Sequence, residues 1–137
     1  MKYVLRDLPL EAIHPYAMKA AEATHCAGDQ GKYWDMHDRL FANQRELSRA
    51  DLTKHAQALG LNVAAFDQCL DSGKTTARIR KDIADAEKLQ ANGTPTFFIG
   101  LTDGNGNQIK GTRLVGALPY ASFKEAIDRL LAAPAQK

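Results

Sequence analysis

The alternation of apolar and polar positions predicts a block of helices from about residue 14 to residue 90. Within this stretch, apolar residues recur three or four positions apart, which is the spacing of one helical face. Glycines and capping residues interrupt the pattern. The predicted helices cover about residues 17–27, 31–43, 48–59, 62–72 and 75–89.

Short polar residues and glycines mark the ends of these helices. Ser48, followed three residues later by Asp51, forms a variant capping box at the start of the third helix. Asn62 is predicted to cap the fourth helix, because its side chain can accept a hydrogen bond from a free amide of the first turn. Gly60 and Gly73 end helices, since glycine adopts the left-handed conformation at little cost.

The second predicted helix carries an aromatic stripe. Trp34, His37, Leu40 and Phe41 fall at the spacing of one face, and Tyr33 adjoins them. One interpretation is a ligand groove lined by these rings. An aromatic stripe at helical spacing is more typical of a core, so we expect this face to be buried.

Strand-like patterns flank the helical block. Residues 2–6 are a short β-prone run that ends before Pro9, because proline cannot donate to a ladder. Residues 96–99 are typical of a buried strand, and residues 103–106 supply the Asp-Gly and Asn-Gly dipeptides of a tight hairpin. A return strand is predicted over about residues 108–115. A final helix follows, with one apolar face formed by Tyr120, Phe123, Ile127, Leu130 and Leu131.

Composition narrows the range of partners. The chain has 137 residues, of which 45% are hydrophobic and 25% charged, and this suits a single globular domain. Its 18 basic and 16 acidic residues are spread along the sequence and leave a net charge of +2, so we expect no nucleic-acid partner. No window of 18 apolar residues is present, and we expect no membrane partner.

The four histidines do not form a metal-binding pattern. No two of them are at the sequence spacing of a zinc motif; they are His14, His25, His37 and His55. No second cysteine lies close to Cys26 in the sequence. We therefore expect no metal and no cofactor. His37 and His55 are predicted to be hydrogen-bonded residues at or near the core.

Several segments, in order along the chain, resemble the DsbA-like thioredoxin-fold oxidoreductases. The segments that carry the resemblance are residues 6–10, 26–41, 69–73, 93–99 and 114–131. The resemblance implies an α/β, thioredoxin-like (DsbA-like) fold with an inserted helical block, whose first strand and first helix are absent. On this interpretation residues 1–137 form one incomplete domain, with the insertion at about 14–90 and the thioredoxin part at 1–9 and 91–132.

The resemblance also implies a substrate-binding loop. In similar proteins the Thr94–Pro95 bond is cis and the loop faces a reactive dithiol, with Gly93 permitting the turn. Gly93, Thr94 and Pro95 are therefore expected to bind extended protein or peptide substrates. The family's Cys-x-x-Cys dithiol is absent from this sequence, so we expect no catalytic residue here.

The two cysteines have two open interpretations. Cys26 and Cys69 are 43 positions apart in different predicted helices and do not form a Cys-x-x-Cys site. They are either two buried free thiols or a structural disulfide between the first and fourth helices, as in some DsbA-like proteins. We expect the two residues to lie near each other.

Three functions follow from the resemblance. The leading expectation is a chain of a thiol-disulfide oxidoreductase family that is catalytically incomplete, either truncated at its start or a degenerate member. The alternative is a non-catalytic peptide-binding or oligomerisation module, and a glutathione-using relative is a third. Family resemblance points to the bacterial periplasm or another extracytoplasmic location.

Because the family's first strand is absent, we also expect the chain to associate with itself. In the thioredoxin fold this strand lies between the strands that correspond to residues 3–6 and 96–99. Its loss leaves both strands with an unpaired edge, and another chain can form hydrogen bonds along such an edge. We expect a homo-oligomer, namely a homodimer formed by strand exchange or edge pairing. Otherwise, the strand predicted at residues 3–6 is expected to pair directly with the strand that begins at Thr96.

Overall fold

The computed structural model describes residues 1–102 and 109–132. The chain divides into two compact units, Met1–Gln90 and Ala91–Lys137, called here the helical unit and the strand unit. Residues 1–9, which the sequence analysis groups with the thioredoxin part, lie in the helical unit. The elements in chain order are α1 (Ala17–Gly28), α2 (Tyr33–Ala42), α3 (Arg49–Ala58), α4 (Val63–Ser72), α5 (Thr76–Lys88), β1 (Thr96–Thr102), β2 (Ile109–Val115) and α6 (Tyr120–Ala132).

The predicted helix ends are confirmed. The Ser48 side chain accepts a hydrogen bond from the Asp51 amide, with 3.3 Å between the oxygen and the nitrogen. The Asn62 side chain accepts one from the Ala65 amide at 3.0 Å. Gly73 ends α4 in the left-handed conformation, with φ of 65°. These local signals fix where α3 and α4 begin and where α4 ends.

The core of the helical unit lies between α1 and the helices that follow it. Helix α1 packs against α2, α3, α4 and α5. Met36, Leu52, Phe66 and Leu70 are completely buried, so each helix from α2 to α4 contributes a large apolar side chain to the core. None of the helices in the described ranges 1–102 and 109–132 is long and apolar enough to cross a membrane.

The predicted strand at residues 2–6 is wrong. These residues carry no regular secondary structure in the helical unit, because a strand needs a neighbouring strand to satisfy its backbone groups and this unit consists of helices. Side chains hold the segment instead. The Arg6 guanidinium lies 2.8 Å from the Asp82 carboxylate, and the Asp7 amide donates to the same carboxylate at 3.1 Å.

The strand unit contains an antiparallel pair. β1 pairs with β2 in a register that runs from Thr96 opposite Val115 to Thr102 opposite Ile109, so the first strand continues past the predicted residues 96–99. The predicted hairpin at residues 103–106 lies outside the described residues. Helix α6 packs against β1, where the rings of Phe97 and Phe123 meet edge to face with 4.8 Å between their centroids.

Two further features of this sheet bear on its assembly. Gly111 stands opposite Gly100, and a Cβ atom at Gly111 would lie 1.9 Å from the carbonyl oxygen of Ile99. Only glycine fits at that point of the pair. The sheet formed by the described residues has the two strands β1 and β2, so the expected direct pairing of residues 2–6 with the strand at Thr96 is wrong.

Candidate functional site

The loop before β1 is an exposed turn that the strand unit fixes on both sides. Thr94 and Pro95 are exposed, Gly93 is partly exposed, and the Thr94–Pro95 peptide bond is cis. The hydroxyl of Thr96 donates to the Gly93 carbonyl at 2.7 Å, and the Gly116 amide donates to the Pro95 carbonyl at 2.8 Å. The residues on either side of Thr94 are therefore held in place.

Thr94 itself keeps its backbone groups available. Within the part of the chain that the structure describes, neither its amide nor its carbonyl takes part in a hydrogen bond. One donor and one acceptor on an exposed, fixed loop are the groups that an extended peptide needs to pair with a backbone. The three predicted substrate-binding residues thus form one continuous turn with free pairing groups at its centre.

The two cysteines are joined in a disulfide that links α1 to α4. The Cα atoms of Cys26 and Cys69 are 5.8 Å apart, well inside the range that a bridge allows. Of the two open interpretations, the disulfide is confirmed and the free thiols are wrong. The sequence contains two cysteines, and both are in this bridge.

A buried polar cluster, which sequence reasoning missed, anchors the N-terminal segment. Asp82 is 4% exposed, and its carboxylate accepts hydrogen bonds from the Arg6 guanidinium and the Asp7 amide. The Asp7 carboxylate in turn lies 2.6 Å from Nε2 of His25. Their sequence separations of 18, 75 and 76 residues leave no local pattern. One signal was available in the sequence. Asp82 lies three positions after Ile79, so a charged side chain falls on the apolar face of α5.

Tyr33 borders this cluster. Its ring centroid lies 5.3 Å from that of His25. Burial raises the pKa of Tyr33 to about 12, and the negative charge of Asp7 adds to the effect. The phenol keeps its proton at physiological pH, and its ring packs against His25.

The expected burial of the aromatic stripe is confirmed for Leu40 but wrong for its rings at Trp34 and Phe41. Trp34 is 49% exposed and Phe41 64% exposed, whereas Met36 and Leu40 turn into the core. The rings form a continuous row, with centroids 5.3 Å apart between Trp34 and His37 and 4.7 Å apart between His37 and Phe41. Helix α2 thus buries the face of Met36 and Leu40 and leaves the adjoining aromatic face at the surface.

His37 and His55 have ordinary polar partners. His55 is buried, where it receives the Arg39 Nε–H at Nδ1 and donates from Nε2 to the Glu46 carbonyl, both at 2.9 Å. His37 is partly exposed and lies 2.9 Å from the Asp38 carboxylate. In the described residues, no group of three or more His, Cys, Asp or Glu side chains is arranged to hold a metal ion.

Comparisons with known proteins identify the relatives of this chain. Residues 6–128 match the family model of the DSBA-like thioredoxin domain. The chain is 43% identical over 121 residues to the Na(+)/H(+) antiporter NhaA 1 of Salinispora arenicola, covering 88% of this chain and 18% of that protein. It is 37% identical over 125 residues to the Na(+)/H(+) antiporter NhaA of Herminiimonas arsenicoxydans, covering 89% and 19%.

A third relative shows the same proportions. The Na(+)/H(+) antiporter NhaA 1 of Mycobacterium sp. strain KMS is 41% identical over 111 residues, which cover 80% of this chain and 17% of that protein. The chain therefore spans less than a fifth of the length of these curated relatives. No solved structure matches it.

Proposed function

Since the chain belongs to the DSBA-like thioredoxin domain family, we propose that it is the substrate-docking part of a thiol-disulfide oxidoreductase. Residues 93–95 hold an extended protein or peptide substrate by its backbone. The redox step is carried out by a thiol that the 137 residues of this sequence do not supply. The sodium and proton exchange in the relatives' names is not proposed for this chain, because the similarity spans less than a fifth of each relative.

The observation that carries this proposal is the backbone of Thr94, whose amide and carbonyl make no hydrogen bond with the residues that the structure describes. Its amide and carbonyl lie on an exposed turn that hydrogen bonds fix at Gly93 and Pro95. A substrate strand that pairs with Thr94 gains two hydrogen bonds, each worth about 1 kcal/mol net. Because backbone groups make the contact, the loop accepts many substrate sequences.

Catalytic incompleteness follows from the cysteines. Thiol-disulfide exchange requires a thiolate that is both stabilised and accessible. Cys26 is 1% exposed and lies near the C-terminal end of α1, where the helix dipole disfavours an anion. Cys69 is bonded to it, so neither residue is poised for turnover.

A peptide titration tests the docking loop. We expect a short extended peptide to shift the backbone amide resonances of Gly93, Thr94 and Thr96 in a nitrogen–proton correlation spectrum. The matched control is the same peptide with its central backbone nitrogen methylated, which removes one pairing hydrogen bond and obstructs the other. We expect the control to bind about five- to thirtyfold more weakly. Equal shifts from both peptides, or shifts confined to other residues, would contradict the docking role.

A second function, an oligomerisation module, is favoured by the composition of β1. This strand reads Thr-Phe-Phe-Ile-Gly-Leu-Thr, without charge or proline, and it pairs with β2 alone in the described sheet. In proteins that stay monomeric, exposed edge strands usually carry lysine, proline or a bulge. We propose that two copies pair their β1 edges about a two-fold axis, since a symmetric contact closes on itself.

Light scattering tests this assembly. At micromolar concentration we expect a mass about twice the 15.0 kDa of the chain. Phe98→Lys is expected to give a monomer, because the symmetric pairing would bring two added charges together on the strand edge. Tyr120→Lys on α6, at a residue that is 79% exposed, is the matched control and should remain a dimer. A monomeric mass for the unmodified chain would rule out the module.

A further inference from the structure

The two sulfurs of the disulfide differ in their surroundings. Cys26 is 1% exposed and belongs to the core cluster that includes Phe66 and Leu70. Cys69 is partly exposed and packs at the edge of that cluster. A reagent in solution therefore reaches the bridge from the side of Cys69.

A surface ion pair lies against Cys69. The Asp29 carboxylate comes within 3.9 Å of the Cys69 sulfur, and the Lys74 ammonium lies 2.7 Å from the same carboxylate. The side chains of Asp29 and Lys74 are 47% and 62% exposed. Both charges thus lie near this sulfur, and the carboxylate is within 3.9 Å of it.

We propose that Cys69 is a site of mixed-disulfide formation with small thiols such as glutathione, and that Asp29 and Lys74 control the rate. This reaction concerns the bridge between α1 and α4 and is separate from substrate docking at residues 93–95. It makes the disulfide a modification site, which the helical unit restricts to one of its two sulfurs.

The chemistry balances with the small thiol as the only co-reactant. Its thiolate attacks the Cys69 sulfur in line with the existing bridge, and a new S–S bond forms between the small thiol and Cys69. The Cys26–Cys69 bond breaks, and its electron pair stays on the Cys26 sulfur, which then takes a proton from solvent or buffer. The small thiol is oxidised to the mixed disulfide, and Cys26 is reduced to a thiol.

The environment makes this reaction slow and reversible. The departing Cys26 sulfur carries negative charge inside the core, where desolvation is costly. The attacking thiolate also meets the like charge of Asp29, which Lys74 offsets in part. Cys26 stays next to Cys69 in the folded unit, so its thiol can displace the adduct and close the bridge again.

Mass spectrometry locates the adduct. The folded protein is incubated with excess reduced glutathione, quenched with iodoacetamide under denaturing conditions, and digested for peptide mapping. We expect glutathione on Cys69 and the alkyl group on Cys26. An adduct on Cys26, or equal amounts on both residues, would overturn the assignment of the site.

Charge variants test the control of the rate. Asp29→Asn removes a like charge about 4 Å from the reacting sulfur, and we expect adduct formation to accelerate about three- to tenfold at low salt. Lys74→Gln should slow the reaction. Asp38→Asn is the matched control, at a residue that is exposed on α2, and should react like the unmodified protein.

A second thiol separates charge from loosened structure. Cysteamine carries an ammonium group, which Asp29 attracts. Asp29→Asn should therefore accelerate adduct formation with glutathione more than adduct formation with cysteamine. Equal acceleration with both thiols would mean that the variant only loosens the fold, and an unchanged rate would mean that the ion pair has no role. Either result would overturn the proposed control by Asp29 and Lys74.

Discussion

Replacing Cys26 and Cys69 together by alanine is expected to lower the free energy of unfolding of the helical unit by about 3–4 kcal/mol. The bridge closes a long loop, with a separation of 43 residues between its ends. Without it, the unfolded chain regains the conformational freedom that the cross-link removes. Urea unfolding followed by the fluorescence of Trp34, the single tryptophan, measures this loss within the same unit.

The unmodified protein under strong reducing conditions is the control for this experiment. Reduction opens the bridge but keeps the side-chain volume of both cysteines, so its loss of stability should approach that of the double variant. A loss below about 1 kcal/mol in both samples would show that the cross-link does not stabilise the unit.

Phe66→Ala is expected to cost about 3–5 kcal/mol of unfolding free energy. Phe66 is completely buried on α4 and belongs to the core cluster of the helical unit. Truncation removes its apolar contacts and leaves a cavity between α4 and the helices around it. The same fluorescence-detected unfolding in urea gives the value.

Phe41→Ala is the matched control for this core substitution. It removes the same atoms from a residue that is 64% exposed, so we expect a change within about 0.5 kcal/mol. Similar losses for Phe41 and Phe66 would mean that the aromatic face of α2 is covered in solution, which would contradict the exposure described for Trp34 and Phe41.

Sequence alone predicted the features that local chemistry determines. Ser48 and Asn62 cap helices because their side chains reach an amide three residues away, and this requires no knowledge of the fold. Gly73 takes positive φ for an equally local reason. The Gly93–Pro95 turn was found because its residues match the pattern of a family, and the matched family model supports that resemblance.

Features that depend on distant neighbours were not predictable in the same way. Residues 2–6 have the composition of a strand, but a strand forms only where another strand supplies hydrogen bonds. Periodicity on α2 correctly grouped Trp34 with Phe41, yet it could not tell which face the other helices cover. Asp82 was missed because its partners, Arg6 and Asp7, lie 76 and 75 positions away in the sequence.

We propose that this chain docks substrates without a redox centre of its own. An insulin disulfide reduction assay in the presence of dithiothreitol tests it most directly, with the unmodified chain compared with Cys26→Ser and Cys69→Ser. We expect all three proteins to leave the rate at the level of dithiothreitol alone, because the two cysteines form one structural bridge. Enzyme-like turnover by the unmodified chain that either substitution abolishes would contradict the account.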